Sequence, residues 1–224
     1  MEEADWRSSG EQAVSEAART LRIIAKNEGD AMDGEMLWSR WGDLTRYMSS
    51  ALIAFRRESR LWGELEFDDP KSVTIGLKAG SGKYQVKLEQ HRSVMQDEQT
   101  LFSTVLVSSY ALAEGAAGFR LQKDAASLGG IETWGSDLLS CNARSWDDVP
   151  EGKSGAVEVA VVRNYYAHGL SSMNERSINR LVAVGNSQFE LGDVIILDAE
   201  KVTRYRSLLK DLLRKGGIRG EVNP

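Results

Sequence analysis

The sequence predicts a mainly α-helical protein that carries one small β-hairpin. Apolar residues recur every three or four positions over several long stretches, which is the period of an amphipathic helix. Two short segments instead alternate apolar and polar residues on either side of a glycine-rich turn, the pattern of a hairpin. Hydrophobic residues make up 42% of the 224 positions and only three residues are proline, which is the composition of a protein with a packed core.

Two helices and the hairpin are predicted before residue 91. Apolar residues form a stripe over 13–26, and Gly and Asp residues interrupt it at 27–34. A longer helix follows, with apolar positions at Leu37, Trp41, Leu44, Met48, Ala51, Leu52 and Phe55. This helix either packs on its own domain or contacts a partner or a second copy. Asp68-Asp69-Pro70 ends it, and residues 73–88 form the hairpin around Gly80 and Gly82.

The remainder of the chain is predicted as further helices. A run of about 30 residues over 93–123 contains no proline and keeps a helical apolar stripe. Shorter helices follow at 131–140, 155–168 and 174–184, with Gly169 as the residue that ends the helix before it. Residues 189–197 are predicted as a short strand pair. The last helix, 199–215, turns inward Val202, Tyr205, Leu208, Leu209 and Leu212.

Charge is unevenly distributed along the chain. The formal net charge is −5, which excludes a protein that coats nucleic acid through overall positive charge. Residues 1–35 carry nine acidic and four basic side chains, whereas residues 201–219 carry seven basic and one acidic. The basic run is either a solvated helix face or a surface for phosphates. In the second case Arg204, Lys210, Arg214 and Lys215 are the predicted contacts.

Metal and membrane functions find little support in the sequence. One cysteine, Cys141, excludes a disulfide or a cysteine-based zinc site within one chain. Two histidines, His91 and His168, are few for a metal centre, so we expect no metal and no cofactor. The N-terminus is acidic rather than basic and apolar, and no run reaches the ~18 apolar residues of a membrane helix. We therefore expect a cytoplasmic protein without a membrane partner.

The most informative segment is residues 157–170, VEVAVVRNYYAHGL. Asn164 and His168 are four positions apart and share a helix face, while Arg163 lies about 140° around the helix from His168. An imidazole that titrates near neutral pH can transfer a proton, and a guanidinium binds phosphate. Each residue taken alone can also be explained by structure, since a histidine near a helix end can cap the last carbonyls and an arginine can form a surface ion pair. Taken together, the residues combine a proton-transfer group with a phosphate anchor.

Arg163-Asn164-x3-His168 resembles the signature of the HEPN superfamily, in which Arg, a polar residue and His lie in a late helix of an antiparallel bundle. Glu114 on the preceding long helix fits this resemblance. The segments GIETWG and RSWDDVPEG are similar to a bacterial HEPN group of the RiboL-PSP type. The resemblance covers about residues 93–215. It suggests a helical extension and hairpin at 1–90, a HEPN-like domain at 91–216 and a tail at 217–224.

The resemblance implies metal-independent endoribonuclease chemistry, with RNA cut to 2′,3′-cyclic phosphate and 5′-OH ends. Arg163, Asn164 and His168 would be catalytic, with Glu114, Tyr165 and Tyr166 in support. It also implies a homodimer that combines two copies of the motif, and a toxin or defence effector held by an antitoxin. Leu170 stands where an adenylylated toxin subgroup has Tyr, which argues against that route of inhibition. The alternative is a non-catalytic HEPN module that binds RNA or a protein partner.

Overall fold

Eight α-helices and one two-stranded antiparallel sheet make up the part of the chain that the computed structural model describes, residues 34–69, 71–76 and 85–218. The predicted class, mainly helical with a small hairpin, is confirmed. The helix predicted at 13–26 and the hairpin turn lie outside the described residues. No helix among the described residues has both the length and the apolar character needed to cross a membrane. In chain order the elements are α1 Gly34–Glu64, β1 Thr74–Gly76, β2 Gln85–Lys87, α2 Leu88–Gln96, α3 Glu98–Leu121, α4 Ala125–Leu128, α5 Ile131–Ser140, α6 Gly152–Ala167, α7 Glu175–Val182 and α8 Ala199–Lys215.

The hairpin pairs β1 with β2 in antiparallel register. Ile75 lies opposite Val86, so the alternating apolar residues of the two segments meet on one face. The backbone N–H of Leu88 donates to the carbonyl oxygen of Val73 over 3.0 Å and carries the pairing directly into α2. Leu88 is fully buried, so the start of α2 anchors the sheet.

Helix α1 packs within its own compact unit, Gly34–Pro224. It buries Leu37, Trp41 and Met48 and contacts α2 and α3. Arg206 of α8 is 5% exposed and donates to the carbonyl oxygen of Trp41 over 2.9 Å. Packing within this unit therefore accounts for the buried part of the stripe, whereas Leu44, Ala51, Leu52 and Phe55 are half-buried.

The run over 93–123, which could have formed one helix, is divided between two helices, because Asp97 interrupts it. The side chain of Asp97 accepts hydrogen bonds from the backbone N–H groups of Gln99 (3.1 Å) and Thr100 (3.4 Å). Asp is a strong N-cap residue because its oxygens satisfy donors that the first helical turn leaves free. The helical period continues through this break, so apolar spacing alone did not reveal it.

Helix α6 lies at the centre of the bundle. It contacts α3, α5, α7 and α8, which explains why its surface is apolar on several sides. An apolar excess of this kind also predicts a dimer interface on this helix. The described helices of the same chain instead bury every one of these residues, Val157, Val159, Ala160, Val161 and Val162, to 2% exposure or less.

The two segments that resemble the bacterial HEPN group contact each other. Trp146 lies in a short 3-10 helix, Trp146–Asp148, and its indole Nε1 donates to Ser136 Oγ of α5 over 2.9 Å. A Cβ placed on Gly135 would lie 2.5 Å from the Trp146 ring. Glycine is therefore required at 135 for the ring to reach α5.

The strand pair predicted at 189–197 does not form. Residues 191 and 192 make a turn and residues 193–198 have no regular structure. The backbone of this segment bonds to a loop residue and to side chains: Gly192 N–H donates to the carbonyl oxygen of Met173 over 2.9 Å, and Leu197 N–H donates to Gln99 Oε1 over 2.8 Å. Alternating apolar residues indicated a strand, but a loop residue and α3 supply these partners. The prediction for α8 is confirmed, since Ala199–Lys215 is helical and its five inward residues are buried.

Candidate active site on helix α6

The Arg-Asn-x3-His motif occupies the last turn of α6 and the residue after it. Arg163 and Asn164 are helical, and His168 follows the last helical residue, Ala167. The backbone N–H of His168 donates to the carbonyl oxygen of Asn164 over 3.1 Å. Gly169 then adopts φ +61, a left-handed conformation that glycine takes without steric cost. The predicted helix end at Gly169 is therefore confirmed.

Arg163 is half-buried and directed at α3. Its Cζ lies 5.0 Å from the centroid of the Tyr110 ring, close enough for a cation–π interaction. Its Nη1 donates to Asn164 Oδ1 over 2.9 Å, and its Nε is buried without a hydrogen-bond partner. Among the described residues, Arg163 forms no ion pair with a carboxylate.

Two nearby arginines are, by contrast, neutralised. Arg180 of α7 forms a two-bond pair with Glu132 of α5, at 2.5 and 2.6 Å. Hydrogen bonds from Arg180 lower the pKa of Glu132. Arg204 of α8 pairs with Glu151 and Glu158. These paired arginines stabilise helix contacts, whereas the charge of Arg163 is not compensated by a described carboxylate.

His168 is exposed. Its imidazole forms no hydrogen bond with any residue in the described part of the chain. An exposed imidazole at the end of a helix can meet a ligand and exchange protons with it. Its orientation depends on the backbone that carries it, because no side chain holds the ring.

Glu114 is half-buried on α3 and forms no hydrogen bond to Arg163. It acts electrostatically on Tyr110, one helical turn earlier. Burial, and then the negative charge of Glu114, raise the pKa of Tyr110 to about 12. Tyr110 is therefore neutral at physiological pH, and its ring offers Arg163 an aromatic face.

Tyr165 and Tyr166 hold the end of α6 on two sides. The Tyr165 hydroxyl donates to the carbonyl oxygen of Ser171 over 3.0 Å. The Tyr166 hydroxyl lies 2.6 Å from the carbonyl oxygen of Ile195 and 3.0 Å from Gln99 Oε1, both acceptors. Burial, and then Tyr165, raise the pKa of Tyr166 to about 12. Their contacts are those of packing residues.

Like Tyr110, Gln99 is a residue of this region that the sequence analysis missed. It is separated from Tyr166 by 67 positions and belongs to no recognisable motif. The one signal in the sequence is indirect, because Gln99 follows two positions after the capping residue Asp97. A cap predicts where α3 begins but not which later segment its first turn contacts.

The predicted basic face of α8 divides into buried and exposed parts. Arg206 is buried against Trp41, and burial lowers its pKa. Arg204 donates hydrogen bonds to two carboxylates, and these bonds, to Glu151 and then to Glu158, raise its pKa. Lys210 is half-buried, and Arg214 and Lys215 are exposed; the Arg214 Cζ lies 5.5 Å from the Trp38 ring centroid. The exposed charge is thus concentrated at the C-terminal end of α8.

Comparison with known proteins adds nothing to this geometry, because the chain matches no family model, no curated protein and no solved structure.

Within residues 34–69, 71–76 and 85–218, no three His, Cys, Asp or Glu side chains are grouped as metal ligands would be. His91, which we expected to be structural, lies beside Trp62 with its ring edge-on.

Proposed function

We propose that this chain is a metal-independent endoribonuclease of the HEPN type. The observation that carries the proposal is Arg163: a half-buried guanidinium on the motif helix, with an unpartnered Nε and no described carboxylate to neutralise it. A phosphate group is the ligand that such a guanidinium binds best. RNA supplies phosphate and the nucleophile together, so the protein has to supply only charge and proton transfer.

Each motif residue receives one task in this proposal. The 2′-oxygen of the ribose attacks the adjacent phosphorus and loses its proton, while the 5′-oxygen of the next nucleotide leaves and gains one. Arg163 neutralises the phosphate, and Asn164 orients Arg163 through the 2.9 Å hydrogen bond between them. His168 transfers a proton. The products are a 2′,3′-cyclic phosphate and a 5′-OH.

A single imidazole serves one of the two proton transfers at a time, and so we propose that a homodimer supplies the second. The interface in this proposal is not the apolar surface of α6, which the chain's own helices bury. It would instead include the exposed end of α6 around His168. The half-buried Lys210 and the exposed Arg214 and Lys215 would hold the RNA backbone.

The test is cleavage of a defined single-stranded RNA in the presence of EDTA. We expect the wild-type protein to cut it and to leave 2′,3′-cyclic phosphate ends, identified by mass spectrometry of the fragments. His168→Ala and Arg163→Ala should lose activity by at least about 100-fold. His91→Ala is the matched control, since it removes the other histidine and should retain activity. Activity that disappears with EDTA and returns with magnesium would contradict the mechanism.

One observation favours a non-catalytic HEPN module as a second candidate: no described side chain orients the imidazole of His168. In that case Arg163 and the basic end of α8 bind RNA or an acidic partner without cleaving it. The same experiment separates the two, because the second candidate predicts salt-dependent RNA binding with intact RNA. A role as a toxin or defence effector, restrained by an antitoxin, stays a prediction of the resemblance.

A further inference from the structure

The side-chain amide of Gln99 acts as a strand partner for a segment that has no strand. Gln99 Oε1 accepts from the N–H of Leu197 over 2.8 Å, and Gln99 Nε2 donates to the carbonyl oxygen of the same residue. This pairing satisfies both backbone polar groups of Leu197, which is 1% exposed. Unsatisfied backbone groups at such a buried position would be costly.

The same Gln99 oxygen also accepts from the hydroxyl of Tyr166, at 3.0 Å. Tyr166 lies in the last turn of α6, two positions before His168, and its hydroxyl further contacts the carbonyl oxygen of Ile195 at 2.6 Å. Gln99 therefore joins three parts of the chain: the first turn of α3, the segment 195–197 and the final turn of α6. The single hydroxyl hydrogen of Tyr166 is shared between these two acceptors, and the shorter contact, to Ile195, is the stronger. Gln99 therefore acts on Tyr166 both directly and by holding the segment 195–197.

His168 itself has no such restraint. Its imidazole bonds to no described side chain, and its backbone N–H bonds to Asn164 within the same helix turn. The orientation of the ring is therefore inherited from the turn, and hydrogen bonds from Tyr165 and Tyr166 tie that turn to Ser171 and to Ile195. Of these two hydroxyls, only that of Tyr166 is bound by a side chain from another helix.

We propose that Gln99, acting through Tyr166, is the positioning residue for His168. The inference rests on the proposed function, since positioning matters for a histidine that must meet a scissile phosphate. Small displacements of a catalytic group reduce turnover more than binding. Loss of this junction should therefore lower kcat and leave KM nearly unchanged.

The test uses Gln99→Met, which keeps the length of the side chain and removes its hydrogen bonds, and Tyr166→Phe, which removes one oxygen. The chain has two histidines, so imidazole NMR signals of the full-length protein report on His168 with His91 as an internal reference. We expect the His168 signal to shift or broaden in both variants and the His91 signal to stay in place. If cleavage is observed, kcat should fall about tenfold.

Two further variants distinguish positioning from general loss of structure. Tyr205→Phe removes a buried hydroxyl on α8 that bonds to Glu158 of α6, and it should leave the His168 signal and kcat unchanged. Gln99→Glu keeps the acceptor for Tyr166 and should restore the signal in part. An unchanged His168 signal in folded Tyr166→Phe overturns the inference. Absence of wild-type cleavage overturns the proposed function instead, and the NMR result still decides the positioning.

Discussion

Arg204 of α8 donates from Nη1 to Glu158 Oε1 of α6 over 2.8 Å. The carboxylate of Glu158 is held from three directions, because it also accepts from the Tyr205 hydroxyl at 2.8 Å and from Asn186 Nδ2 at 3.0 Å. Glu158 is 1% exposed. The last helix and the helix of the candidate site are therefore joined by a buried carboxylate whose hydrogen bonds come from charged and neutral donors.

Glu158→Gln should lower the free energy of unfolding by about 2 kcal/mol. The substitution keeps the shape of the side chain, removes its charge and faces one amide N–H toward donors. Urea denaturation followed by circular dichroism measures the change. The matched control is Glu64→Gln, at an ion pair on the surface of α1 where both side chains are more than 60% exposed; such pairs contribute little. Equal midpoints for the two variants would contradict the role of Glu158.

Stability should fall in acid, and Glu158 and Glu132 are two of the carboxylates that contribute to this response. Burial raises the pKa of Glu158, but hydrogen bonds from Arg204, Tyr205 and Asn186 outweigh it, so the pKa lies below the ordinary value. The pKa of Glu132 is also lowered, by Arg180. The unfolded chain then binds protons more readily than the folded one. The contribution of the two carboxylates to the free energy of unfolding is present above their unfolded pKa of about 4.3. It is lost as the pH falls through their lower pKa values in the folded protein.

Measurements of unfolding free energy between pH 7 and pH 3 check this expectation. The wild-type curve should be nearly level down to about pH 5 as far as these two groups are concerned, and should then descend. The curve of Glu158→Gln should descend less steeply, since this variant lacks one of the carboxylates whose pKa is lowered by folding. Parallel curves for the two proteins would show that Glu158 does not contribute to the acid response.

Gly135→Ala should destabilise the fold by about 1–3 kcal/mol, because the added Cβ would overlap the Trp146 ring. Gly63→Ala is the control, since nothing lies within 4 Å of a Cβ at that position. The control should be neutral or raise stability by up to about 1 kcal/mol, as alanine is the better helix former. Thermal unfolding of both variants measures the difference. A Gly135→Ala protein as stable as the wild type would show that α5 and Trp146 are not packed closely.

Charge reversal at Lys210 and Arg214 should weaken RNA binding without slowing turnover at saturating RNA. Contacts to phosphates release counterions, so the slope of log affinity against log salt should become shallower by roughly one to two. The control is Arg57→Glu with Arg60→Glu on α1, which alters net charge by the same amount elsewhere. A thermal melt checks that Arg214, which lies over Trp38, can be changed without loss of the fold. Identical salt slopes in the two variants would show that the end of α8 is a solvated face that does not contact RNA.

Local patterns in the sequence determined the class of fold and most of its helices. Helix α8 runs over Ala199–Lys215 as its apolar period predicts, and Gly169 ends the motif helix because only local backbone geometry is involved. Local patterns failed at Asp97 and at 189–197. In the first case a capping side chain interrupts a continuous apolar stripe. In the second case the residues alternate like a strand, but their backbone bonds to other parts of the chain, including helix side chains.

The motif residues Arg163, Asn164 and His168 were also named from the sequence alone, because their spacing is local. Their surroundings were decided by tertiary packing. Tyr110 beneath Arg163 and Gln99 beside Tyr166 come from α3, and no local rule connects residues so distant in the chain. The same holds for the basic run of α8, because the sequence does not distinguish the surroundings of its six described cations. Packing buries Arg206 and pairs Arg204 with carboxylates, since each helix position meets a different neighbour when helices come together.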